Sequence, residues 1–111
     1  MNELAQKKCK PCEEGAAPLK GEALTGMLQK LGGGWNIVNG DHLEKLYSFK
    51  NFRQALEFTN QIGETAEDQG HHPDITLGWG KVKVAISTHS IGGLSENDFI
   101  LAARIDQIQS S

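Results

Sequence analysis

Three histidines carry most of the proton chemistry this chain can offer. His71 and His72 stand side by side in Glu67-Asp68-Gln69-Gly70-His71-His72-Pro73, and His89 follows at the end of the next apolar alternation. Histidine titrates nearer neutral pH than any other side chain, so a cluster of imidazoles can donate and accept protons within one reaction cycle. Pro73 pushes His72 toward extended backbone, where neighbouring side chains point to opposite faces. The two adjacent histidines therefore divide the work: one faces the reacting atom and the other lines or gates the pocket. Glu67, four residues before His71, is placed to approach it from the last helical turn and orient its ring. Asp98 is accounted for by a capping box with Ser95. His42 flanks a turn and is assigned no role, and Trp35 and Trp79 read as core or rim aromatics. A zinc site from the same histidines competes, but adjacent histidines make poor co-ligands and no carboxylate is clearly placed to complete the sphere.

The elements that must position these residues are legible from periodicity. Leu24, Met27, Leu28 and Leu31 recur at helical spacing before Gly32-Gly33-Gly34. A short strand from Trp35 to Val38 leads into Asn39-Gly40, a strong hairpin signal, and a second strand runs from about His42 to Phe49. Leu43, Lys45, Tyr47 and Phe49 share one of its faces, with Leu46 on the other. Asn51 caps the next helix with Gln54 at the reciprocal position. The stripe of that helix is Phe52, Ala55, Leu56, Ile62 and Ala66, with Phe58 and Thr59 beside it, and Gly70 closes it as a left-handed cap. Gly63 is its weak point.

Ile75, Leu77 and Trp79 alternate as a third strand, Gly80-Lys81 makes a tight connection, and Val82, Val84 and Ile86 alternate as a fourth. Ser95 then caps a final helix with Phe99, Ala102, Ala103 and Ile105 inward. The order α-β-β-α-β-β-α with short strand connections predicts an α+β two-layer domain, a four-stranded antiparallel sheet with three helices packed on one face. A strand–strand–helix unit occurs twice, and a bare sheet edge would favour oligomerisation. If the third and fourth strands turn at Gly80, their far ends bring His71 and His72 beside His89.

Composition narrows the class. The 111 residues fit one domain, with residues 1–19 as an extended arm and 20–111 as the folded unit. A net charge of −3 argues against direct nucleic-acid binding, which calls for a basic stripe. No apolar run approaches the ~18 residues of a membrane span, and Met1 to Lys10 lacks the apolar core of a signal peptide, so the expected location is cytoplasmic. Cys9 and Cys12 form a single CxxC in the arm, without a second pair for zinc or a strand–helix setting for redox work.

The spacing Glu67, His71-His72-Pro73, Trp79, His89, Asp98 resembles the signature of the pterin-4a-carbinolamine dehydratases. The resemblance runs from about Leu24 to Ile108 and includes Gly34-Trp35, Phe49-Lys50-Asn51-Phe52 and Gly93-Leu94-Ser95. It implies a four-stranded antiparallel sheet with helices on one face, assembled as a homo-dimer or homo-tetramer. The implied reaction is dehydration of 4a-hydroxytetrahydropterin to quinonoid dihydropterin, in recycling the pterin of an aromatic amino acid hydroxylase. No metal, nucleotide or redox cofactor is implied. Carried over by position, His71, His72 and His89 are the catalytic residues, while Glu67, Ser87, Thr88 and Ser90 contact or support the substrate. Gly70 stands where animal members carry an acidic residue, so a pterin contact from that side chain is not expected. The alternative is a non-enzymatic dimerisation or assembly cofactor for a protein partner.

Overall fold

The computed structural model describes residues 18–88 and 91–110. Cys9 and Cys12, most of the predicted arm, and the site candidates His89 and Ser90 lie outside the described residues. The elements are α1 (Glu22–Leu31), β1 (Asn36–Val38), β2 (His42–Ser48), α2 (Phe52–Gln69), β3 (Asp74–Gly78), β4 (Lys81–Ile86) and α3 (Glu96–Ser110). The strands form one antiparallel sheet in the order β1-β2-β4-β3, with β1 and β3 at its edges. The predicted α+β architecture is the one observed. No helix among the described residues is long and apolar enough to cross a membrane.

One face of the sheet is the core. Leu43, Tyr47, Val82, Val84 and Ile86 are buried on it, against Ala55, Phe58, Ile62 and Ala66 of α2 and every residue of α3 from Phe99 to Ala103. A helix apolar on all sides is one that is enclosed, and α3 packs against both α1 and α2. The opposite sheet face is polar, with Lys83 half exposed and Leu46 59% exposed.

Two expectations about packing need correcting. On α2 the buried line is Ala55, Phe58, Ile62, Ala66 and Gln69, while Phe52 and Leu56 are exposed. The steps of three and four residues from Ala55 pass through Phe58, and Leu56 falls about 100° round the helix from Ala55. At the β3–β4 turn the strand ends at Gly78, so Trp79 and Gly80 form the connection and Trp79 is 72% exposed. Trp35, by contrast, is buried.

Local chemistry sets the turns and helix starts. Asn39 and Gly40 both take positive φ (55° and 73°), the pairing a tight hairpin turn asks for. Asn51 accepts from Gln54 N–H at 2.9 Å, and the Gln54 side chain accepts from Lys50 N–H, one residue earlier than a reciprocal box would place it.

A polar knot ties the last helix to the first hairpin. Asp106 accepts from Trp35 Nε1 at 2.9 Å, Lys45 Nζ at 2.8 Å and the Tyr47 hydroxyl at 2.5 Å. Burial, and then the Asp106 carboxylate, push the Tyr47 phenol far above its ordinary range, so the hydroxyl stays a donor.

Candidate active site

The end of α2 fixes where His71 starts. Gly70 turns left-handed (φ 65°, ψ 28°), its N–H bonds the Glu67 carbonyl, and His71 N–H bonds the Ala66 carbonyl at 3.2 Å. This double closure is a Schellman motif, and it satisfies carbonyls that the helix end would otherwise leave open. His71 is thus held through its backbone before its side chain makes any contact.

The imidazole turns inward, with 13% of its side chain exposed, and Nε2 lies 2.6 Å from Oδ1 of the fully buried Asp98. A carboxylate only accepts, so Nε2 carries the proton and Nδ1 is the nitrogen that Asp98 does not engage. The second oxygen of Asp98 accepts from the Thr88 hydroxyl at 2.7 Å and from Ser95 N–H at 2.8 Å. Thr88 in turn accepts from Ser95 Oγ at 2.9 Å. Asp98 does cap α3 as the sequence predicts. It also receives His71 and Thr88, which makes it the centre of the site, a role the capping box alone had masked.

Glu67 does not support His71. Its carboxylate lies 3.6 Å from His72 Nε2, and the two side chains are 80% and 60% exposed. Spacing by four residues brings side chains together only while the helix continues, and the left-handed Gly70 ends it before His71. The adjacent histidines differ in setting: His71 is packed and held, and His72 stands at the surface.

Thr88 pairs with Gly93 through hydrogen bonds in both directions, fixing the two ends of the segment that contains His89 and Ser90. Ser87 and Thr88 line a cavity of about 330 Å³ at this end of the sheet, together with Asp41, His42, Asp74 and Ala85. His71, His72 and Glu67 are not among its described lining residues. His42, given no role from sequence, is clamped between Asp41 and Glu44, each 2.7 Å from one ring nitrogen. The Asp41 hydrogen bond, supported by Glu44, raises the pKa of His42, and the bond to His42 lowers that of Glu44. Among the described residues no group of three or more His, Cys, Asp or Glu side chains is gathered as a metal site requires.

Comparison with known proteins identifies the family and the fold. The family model described as pterin 4 alpha carbinolamine dehydratase matches residues 17–108. A protein of Alkaliphilus metalliredigens, provisionally named pterin-4-alpha-carbinolamine dehydratase, is 50% identical over 99% of both chains. A protein of Rubrobacter xylanophilus with the same provisional name is 49% identical, covering 97% of this chain and all of the other. Among solved structures, a transcriptional coactivator/pterin dehydratase from Brucella melitensis superposes with a TM-score of 0.77 at 30% identity, covering 82% of this chain and 97% of that one. A pterin dehydratase-like RuBisCO assembly factor of the alpha-carboxysome shares the fold, with a TM-score of 0.61 at 23% identity over 73% of this chain and 95% of its own. The match across nearly the whole chain, at half identity and with one fold, shows that the chain belongs to the pterin-4a-carbinolamine dehydratase family.

Proposed function

We propose that the protein is a hydro-lyase that dehydrates 4a-hydroxytetrahydropterin to quinonoid dihydropterin. The observation that carries the reading is the buried Asp98 holding His71 at 2.6 Å, with Asp98 itself held by Thr88 and Ser95. Elimination breaks the C4a–O bond while the hydroxyl takes a proton and leaves as water. It also removes the N5 proton, so that its electron pair forms the C4a=N5 bond. One group must give a proton and another must take one, and no electron is exchanged. An imidazole whose tautomer is fixed from behind presents its other nitrogen with one defined role. The second proton carrier, on this reading, is His89, with His72 assisting at the rim and Glu67, Ser87, Thr88 and Ser90 contacting or supporting the ring.

The two sheet edges, β1 and β3, with no further strand beside them among the described residues, support assembly as a homo-dimer or homo-tetramer, and the pathway partner would be a hydroxylase that oxidises the pterin. The name of the Brucella relative couples dehydratase to coactivator, which favours a second reading, an assembly cofactor for a protein partner. That role gives the His71–Asp98 pair no chemistry to perform. The discriminating experiment follows decay of freshly generated 4a-hydroxytetrahydropterin with wild type, His71→Ala, His89→Ala and His72→Ala. The first two variants should fall toward the spontaneous rate, by about 10²–10⁴-fold, and the third should lose less. A wild-type rate equal to the spontaneous one refutes the enzyme.

A further inference from the structure

The cavity beside Ser87 and Thr88 has a layout that the proton-transfer groups do not explain. Its floor is Ala85, which in the sheet register sits between Glu44 on β2 and Asp74 on β3. All three point to the polar face, away from the helices. The charges around it are unevenly matched. Asp41 and Glu44 are both bonded to His42, and Glu44 also meets Lys83 at 3.3 Å. The Asp74 carboxylate has no hydrogen-bond or ion-pair partner among the described residues. Among the described lining residues, the uncompensated negative charge therefore rests on Asp74, at the rim of a small floor.

The cavity also connects to the proton-transfer groups. Ser87 lies two residues beyond Ala85, ~6.8 Å along the strand, and Thr88 next to it donates to Asp98, which holds His71. Counted on in the register of β3 and β4, His72 falls level with Ser87. A flat ring resting on Ala85 with one edge at Asp74 thus extends its far side toward Ser87 and Thr88, level with His72.

We infer that Asp74 is a specificity-determining residue: its carboxylate receives the 2-amino-4-oxopyrimidine edge of the substrate while the ring lies across Ala85. The inference rests on the proposed pterin reaction and adds which residue selects the pterin. The edge in question is a cyclic guanidine with adjacent N–H donors, the geometry a carboxylate accepts in pairs. A 2,4-dioxopteridine has the same outline but sets a carbonyl oxygen where the amino group was, and so faces Asp74 with an acceptor. Asp74 is exposed at the rim, so the discrimination rests on the paired N–H donors that the carboxylate accepts from the amino compound and on acceptor meeting acceptor in the dioxo one.

The test is equilibrium binding of 2-amino-4-oxopteridine and of 2,4-dioxopteridine to the intact chain, for wild type, Asp74→Asn and Ala85→Leu. Thermal melts check that each variant is folded. Wild type should favour the amino compound by about tenfold or more. Asp74→Asn should weaken its binding by about 10- to 100-fold and erase the preference, and Ala85→Leu should abolish binding of both by filling the floor. Binding of the amino compound by wild type, with Asp74→Asn unchanged in affinity and preference, overturns the inference and leaves the pterin reaction standing. So does unchanged binding by Ala85→Leu. Failure of wild type to bind either compound, together with absence of dehydration, overturns both.

Discussion

Replacing Asp98 by asparagine changes one atom in a fully buried group and tests the site directly. The carboxylate receives His71 on one oxygen and Thr88 and Ser95 N–H on the other. In the Asp98→Asn variant the new amide can keep its oxygen toward Thr88 and Ser95, but then it sets an N–H₂ against His71 Nε2. That nitrogen must give up its proton to avoid two donors meeting, so the ring switches tautomer and Nδ1 changes from acceptor to donor. Hydrogen bonds to a charged group contribute about 1.5–3 kcal/mol and neutral ones about 1, so the expected loss of stability is ~1–3 kcal/mol. At some 4–8 °C per kcal/mol for a domain near this size, the melt should fall by about 4–24 °C, and the rate is compared at a temperature below the variant's own melt. The dehydration rate should fall much further, by about 10²–10⁴-fold in kcat with little change in KM, the range for one proton-transfer group held in the wrong state. Nitrogen chemical shifts of His71 supply a readout that a merely structural role would not move. A folded Asp98→Asn protein within about threefold of the wild-type rate, with the wild-type tautomer, refutes the reasoning.

Other expectations follow from the same geometry. Gly70→Ala places a side chain in left-handed backbone that has open space around it, so it should cost only ~1 kcal/mol by denaturant melt yet lower the dehydration rate as His71 shifts. Gly63→Ala, also with open space and within α2, should stabilise by ~0.5–1 kcal/mol; a loss of stability would show that the helix needs the gap. The pKa of His42 is raised from its ordinary 6.5, so its contribution to stability is complete below that pH and fades as pH rises through the folded value. Glu44 is lowered from 4.5, so its share is complete above that pH and fades on further acidification. The difference in melting temperature between wild type and His42→Gln should therefore be largest between about pH 4.5 and 6.5 and shrink on either side; a flat difference would contradict the clamp.

The sequence made the order of elements legible because each signal is local. Periodicity, the Asn39-Gly40 turn and the caps at Asn51, Gly70 and Ser95 depend on residues only a few positions apart. The site was less legible where local rules competed. Glu67 looked like a partner for His71 on helical spacing, but Gly70 ends the helix between them and hands Glu67 to His72 instead. Asp98 satisfied a capping box so fully that nothing demanded a further role, although Thr88 and Ser95 shared its neighbourhood in the signature. Phe58 displaced Phe52 and Leu56 from the core because the depth of a helix face is set by what it packs on. The charge balance at Asp41, His42 and Asp74 needed the register of three strands, which sequence alone left open.

The knot at Asp106 has a consequence for how the molecule comes apart. It joins residues 59 to 71 positions apart, so closing it requires most of the chain to be in place, and long-range contacts of this kind form late in folding. Contacts absent from the folding barrier act on the escape rate from the native state. Asp106→Ala should accordingly leave refolding near its original speed and shorten the lifetime of the folded protein, so that the hairpin and the last helix part company first.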